Sequence, residues 1–150
     1  MMISEITNSG AIPALELTMR FAGQRQRLIA SNIANIDTPD YVQLDASPRE
    51  FQRLLAEAIE KRDAGGVAGA AGAAGGLAWK ESRSFVRDER GELRIRPTSP
   101  GDGVLFHDRN NRDLERLMQA NVENALTFRV ASDLLRSRYD ILRTAISQRV

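Results

Sequence analysis

Between Arg25 and Tyr41 the chain reads Arg-Gln-Arg-Leu-Ile-Ala-Ser-Asn-Ile-Ala-Asn-Ile-Asp-Thr-Pro-Asp-Tyr, and its proline limits the fold more than any other residue. Pro39 has no N–H to donate and pushes Thr38 out of the helical region. A helix arriving from the N-terminal side must therefore end near Asn35, which tolerates the left-handed conformation of a helix end. Upstream, Ile12, Leu15, Met19, Ala22, Gln26, Ile29, Ile33 and Ile36 recur at alternating spacings of three and four. That heptad period predicts a narrow helix–helix seam, not the broad face of a helix lying on a globular core. Pro13 is tolerated in a first turn, which sets the helix start near Ile12. Gln26 is the polar member of the seam. It either fixes register from a buried position or snorkels to water at the seam edge.

A second seam runs from Asn111 to about Ser147. Leu114, Met118, Asn121, Ala125, Phe128, Ser132, Leu135, Tyr139, Leu142 and Ile146 again alternate by three and four, and Leu117, Val122, Leu126, Val130, Leu134 and Ile141 widen the apolar surface. At ~1.5 Å per residue the two helices extend roughly 37 Å and 55 Å.

The middle of the chain is built differently. Ser47 as N-cap, Pro48 at the first helical position and Glu50 three residues after the cap predict a short helix whose face is Phe51, Leu54, Leu55, Ala58 and Ile59. Gly65 to Gly76 is Gly and Ala with one Val, a composition that reads as a flexible linker. It has neither the Lys-Ser/Thr nor the preceding strand of a phosphate-binding loop. Phe85, Leu93 and Ile95 alternate on either side of Asp88-Glu89-Arg90-Gly91, which predicts a hairpin that must lean on another element because an isolated one is marginal. The resulting division is an N-terminal helix (1–36), a turn and short helix (37–64), a linker (65–78), an insertion with a hairpin (79–108) and a C-terminal helix (109–150).

Composition narrows the function classes. Among 150 residues, 21 basic and 20 acidic side chains leave a net charge of +1, so no global field draws in nucleic acid or an anionic membrane. Basic residues interleave with Trp79 and Phe85, but Glu81, Asp88, Glu89 and Glu92 lie in the same segment and argue against RNA or DNA. Cysteine is absent, which removes thiolate chemistry and disulfides. His107 is the one histidine, read as a surface or capping residue. No catalytic, cofactor-binding or metal-ligating residue is assigned, and no small-molecule substrate is expected. Aromatics are 5% of the chain, so few large side chains are available and the middle is expected to have little core. Met1 to Ala14 has neither a basic start nor a continuous apolar run, so no cleavable signal is expected there.

The residues Arg25-Gln26, Ile29, Ser31-Asn32-Ile33-Ala34-Asn35 and Asp37-Thr38-Pro39, ending in Tyr41, resemble the signature of bacterial flagellar axial proteins, and most of all that of proximal rod proteins of the FlgB type. Asp40 departs from the glycine usual in that family. Asn121 to Leu126 and Leu142 to Ile146 resemble the C-terminal helix of the same family, whereas the lead-in Asp108 to Met118 is altered. The resemblance marks Asn32, Ile33, Asn35, Thr38, Pro39 and Tyr41 as the assembly signature. It implies a mainly α fold in which the long N- and C-terminal helices form an antiparallel coiled coil, with Leu15, Met19, Ile29, Ala125, Phe128, Leu135, Tyr139 and Leu142 in the seam. It further implies a structural subunit of the flagellar basal-body rod that is exported without a cleaved signal. The partners it implies are copies of the chain, other rod proteins, a basal-body adaptor and the flagellar export apparatus. A cytosolic coiled-coil binding module is the alternative from a different class.

Overall fold

A computed structural model describes residues 10–71, 77–99 and 113–147. The signal expectation for Met1 to Ala14, the lone His107 and the first residues of the expected C-terminal helix fall wholly or largely outside them. Helix α1 spans Ile12–Ala34 and stops at Asn35, as the proline demands. Helix α2 spans Pro48–Ala71, strands β1 (Phe85–Arg87) and β2 (Leu93–Ile95) form an antiparallel pair, and α3 spans Leu114–Ser147.

The local reasons follow the sequence. Ser47 caps α2 through its hydroxyl, which accepts from the Glu50 amide at 3.3 Å. The reciprocal half of a capping box is not what Glu50 does. Its carboxylate instead accepts from Ser84 Oγ at 2.9 Å and Ser82 Oγ at 3.4 Å, so it ties α2 to the start of the hairpin. The helix continues to Ala71, into the span whose glycines predicted a linker. Extending an existing helix adds one hydrogen bond per residue, and the alanines there favour it. Asp113 caps α3, accepting from the Arg116 amide at 3.0 Å. In the hairpin, Phe85 pairs with Ile95 and Arg87 with Leu93, and Gly91 takes the positive φ of 76° that its turn requires.

The long helices α1 and α3 pack together more extensively than any other elements. They run antiparallel, because Tyr139 reaches Glu16 near one end of α1 while Asn121 and Asn124 reach Gln26 farther along it. At ~1.5 Å per residue α3, with 34 residues, is roughly 51 Å long against roughly 34 Å for the 23 residues of α1.

The expectation of a middle with little core is corrected. Phe21 of α1, Phe51 of α2 and Phe85 of β1 are buried together. Phe21 and Phe51 stack with centroids 4.1 Å apart, and Phe85 stands edge-on to both at 5.9 and 6.0 Å. Leu17, Leu54, Ala58, Leu77, Trp79, Leu93 and Ile95 complete this core. Each large side chain so buried contributes about 1.5–3 kcal/mol, and each aromatic pair roughly 0.5–1.5 kcal/mol more. Three phenylalanines scattered over 65 positions carry no periodic signal. Only the fold brings them to one place.

Helix α1 is consequently two-faced. Leu17 and Phe21 serve the aromatic core, while Ala22 and Ile29, buried to 0% and 1% exposure, lie on the face turned to α3. Leu15, Met19, Gln26 and Ile33 are half-buried.

The phase of the α3 seam also differs from the sequence reading. Leu117, Asn124 and Ala131 are its buried residues, seven apart. Ala125 is exposed, and so are Leu114, Met118 and Ile146. Leu135 and Leu142 are half-buried, whereas Phe128 and Tyr139 remain 42% exposed at the edge. Asn124 explains the shift. An apolar pattern discounts asparagine, yet this one turns inward because its amide finds two acceptors across the contact.

Candidate functional site

The signature residues sit where α1 ends and the chain doubles back along it. Asn32, in the last turn of α1, is 2% exposed. Its Nδ2 donates to the Leu44 carbonyl at 2.8 Å, and its Oδ1 accepts from the Leu44 amide at 3.1 Å. One side-chain amide thus pairs with both backbone groups of a residue twelve positions later. Tyr41 adds to the same oxygen, its hydroxyl donating to Asn32 Oδ1 at 3.1 Å, and lies 3.3 Å from Ser31 Oγ.

Asn35 stabilises the helix end. Its Nδ2 donates to the Ser31 carbonyl at 2.8 Å, and its own carbonyl accepts from the Thr38 amide at 3.0 Å. Thr38 Oγ1 also donates to Asn35 Oδ1 at 3.3 Å. Thr38 and Pro39 are exposed, and Ile33 is half-buried. The left-handed residue of this corner is not Asn35, whose φ is −106°, but Asp40, at φ 58°. That is the position where the signature has glycine, and the conformation gives the reason: a residue without Cβ takes it at no steric cost. Aspartate is among the few others that adopt it.

Two features at the corner went unread in the sequence. Arg25, 6% exposed, donates from Nε and Nη2 to the two carboxylate oxygens of Asp45, both at 2.9 Å. Asp45 Oδ1 also accepts from the Ala46 amide at 2.7 Å, and the Asp45 backbone exchanges two 3.0 Å hydrogen bonds with Thr98, just after the hairpin. Segment 41–46 is therefore clamped between α1 and the insertion. Gln24 repeats the device. Its Nε2 donates to the Leu93 carbonyl at 2.5 Å and its Oε1 accepts from the Ile95 amide at 2.9 Å, which seats β2 on α1. The available signal was four long polar side chains in a row, Gln24, Arg25, Gln26 and Arg27, more than one solvent-facing stripe of a helix can hold.

Gln26 faces the other way. Its Nε2 donates to Asn121 Oδ1 at 2.6 Å, and its Oε1 accepts from Asn124 Nδ2 at 2.8 Å. Asn124 Nδ2 also donates to the Ala22 carbonyl at 2.9 Å. A half-buried amide network of this kind is satisfied in one axial register of α1 against α3 and broken in the neighbouring ones.

In the insertion, Trp79, Phe85 and Arg87 are engaged internally, whereas Lys80, Arg83, Arg90, Arg94 and Arg96 are exposed. Phe85 is fully buried. The Arg87 guanidinium lies 4.7 Å from the Trp79 ring centroid and donates to the Trp79 carbonyl at 2.7 Å. Among the described residues, no three of His, Cys, Asp and Glu are grouped to hold a metal ion, and no helix is long and apolar enough to cross a membrane.

Antiparallel terminal helices locked in register by amides, with a hairpin insertion seated on one of them, define a helical packing protein whose polar residues hold backbone in place. The particular likeness is to the flagellar rod proteins. The chain is 24% identical over 139 residues, 93% of its own length and 95% of the relative's, to the flagellar basal body rod protein FlgB of Bacillus subtilis (strain 168). No protein-family model matches the chain. The similarity to a FlgB-type rod protein read from residues 25–41 thus extends along nearly the whole sequence.

Proposed function

We propose that this chain is a structural subunit of the bacterial flagellar basal-body rod, in its proximal part, and that it assembles with other axial proteins into the shaft that transmits torque from motor to hook. The observation that carries this reading is the similarity to FlgB over 93% of the chain. The fold adds a physical rationale. A shaft subunit must resist shear between its helices, and the Gln26–Asn121–Asn124 network and the Arg25–Asp45 pair oppose sliding of α1 against its neighbours. Its partners in this reading are copies of itself, other rod proteins, a basal-body adaptor and the flagellar export apparatus, through which it leaves the cell interior without a cleaved signal.

The test is secretion. In cells with and without a working flagellar export apparatus, the chain should reach the basal body only in the former. Retention in the cytosol of both strains would overturn the rod reading and favour a cytosolic binding module.

A further inference from the structure

Strand β2 turns two arginines away from the core. Leu93 and Ile95 are buried beneath it, so Arg94 and Arg96, which alternate with them, stand on the opposite face and are exposed. The Arg96 amide donates to the Ser84 carbonyl at 2.8 Å, which carries the ladder beyond the strand and sets both arginines in one row. Two residues of extended chain separate them by about 7 Å. Arg83, next to Ser84 and also exposed, adds a third guanidinium at the end of that row.

The carboxylates of the insertion do not answer this charge. Glu92 reaches across the edge of β2 to Arg20 of α1. Asp88 Oδ1 accepts from the Arg90 and Glu92 amides at 2.9 and 2.8 Å inside the hairpin turn, and Glu81 Oε1 accepts from the Arg87 amide at 3.1 Å. Among the described residues, Arg83, Arg94 and Arg96 form no ion pair and donate no side-chain hydrogen bond. Each presents a planar fork of donors suited to a carboxylate.

We propose that this row is a docking surface for an extended acidic segment of another protein, one that carries carboxylates on alternate residues. Alternate side chains of an extended segment lie on one side and about 7 Å apart, so successive carboxylates meet Arg94 and Arg96 in turn, each by two parallel hydrogen bonds. Main-chain pairing is not the mode, because both edges of the hairpin are occupied. Gln24 bonds the Leu93 carbonyl and the Ile95 amide on one edge. On the other, the Phe85 amide donates to Ser82 Oγ at 3.2 Å and the Phe85 carbonyl accepts from the Ser82 amide at 2.8 Å. An added strand finds no open row of backbone groups there, and recognition falls to the side chains.

Other anions fit the surface less well. Trp79 and Phe85 are 6% and 0% exposed, so nucleobases find no ring to stack on. Val86, paired with Arg94, is half-buried and gives a lipid surface no apolar anchor. The support for this surface is the hairpin geometry, and it holds whether or not the chain is a rod subunit.

The test is fluorescence anisotropy of the full chain with a labelled peptide of alternating Glu and Ser that contains four glutamates. At about 0.1 M salt, charges more than ~10 Å apart are largely screened, so the readout is local. Arg94→Glu combined with Arg96→Glu should weaken binding by about tenfold, and Arg94→Gln with Arg96→Gln by about threefold. Neither pair has a partner within the chain to lose, so circular dichroism should stay unchanged. Arg129→Glu with Arg138→Glu makes the same change in net charge at exposed positions of α3 and should weaken binding by less than about twofold. A peptide whose four glutamates are set three residues apart should bind more weakly than the alternating one. No binding of the alternating peptide, equal binding of the two peptides, or equal losses from the β2 and α3 pairs would overturn the proposal. So would tighter binding of a single-stranded oligonucleotide with four phosphates, or of phosphatidylserine vesicles.

Discussion

The carboxamide of Asn32 and the backbone of Leu44 pair as two residues of an antiparallel ladder do, donating at 2.8 Å and accepting at 3.1 Å. A side chain that replaces a strand in this way can be removed only by leaving two half-buried backbone groups without their partners. Each such group costs about 1–3 kcal/mol. Asn32→Ala should therefore destabilise the chain by roughly 2–4 kcal/mol, read as a drop in the urea midpoint. Asn35→Ala, whose bonds are exposed, should cost less than about 1 kcal/mol. Equal losses at the two positions would show that Asn32 does not carry the corner.

Asp40 holds a φ of 58° that L-residues with bulky side chains adopt at a cost of roughly 1–2 kcal/mol. Asp40→Gly should raise stability by up to about 1 kcal/mol, part of the relieved strain being offset by the greater freedom of glycine in the unfolded chain. Asp40→Val should lower it by about 1–2 kcal/mol. Thermal melts of the three proteins decide the matter, and a melting temperature that falls on Asp40→Gly would contradict the assignment.

The Arg25–Asp45 pair is lopsided in burial, with side chains 7% and 28% exposed. Orphaning the deeper partner should hurt more. Asp45→Ala leaves a buried guanidinium without its carboxylate and should cost on the order of 3 kcal/mol, whereas Arg25→Ala leaves a carboxylate that water and the Ala46 amide still solvate and should cost less. A double-mutant cycle measured by urea unfolding gives the coupling. The reverse order of the single losses would place the deeper charge at Asp45.

Partial burial against α1, followed by donation of its hydroxyl to Glu16 at 3.1 Å, raises the pKa of Tyr139 above its ordinary value of 10.0. A raised folded-state pKa means that the neutral phenol is favoured in the folded chain. The stabilisation it contributes is therefore complete below pH about 10 and lost as pH rises through the folded-state value. The difference in urea midpoint between the wild type and Tyr139→Phe should be constant across neutral pH and vanish in the alkaline limit. A difference that grows with alkalinity would rule out the bond to Glu16.

Much of this molecule is determined by its sequence alone, because the relevant physics is local. Pro39 ends α1 wherever the rest of the chain lies, Ser47-Pro48 starts α2, Gly91 turns the hairpin, and the three-and-four spacing makes the two terminal segments helical. What the sequence left open depends on partners far apart along the chain. Phe21, Phe51 and Phe85 become a core only when three elements converge, so the middle looked poorer in packing than it is. The phase of α3 was missed by one residue, since Asn124 earns its buried place through the Ala22 carbonyl and Gln26, 102 and 98 positions away. The burial of Arg25 likewise depends on Asp45, twenty positions later, being brought opposite it. A polar side chain is buried or exposed according to whether a partner meets it, and only the tertiary structure supplies the partner.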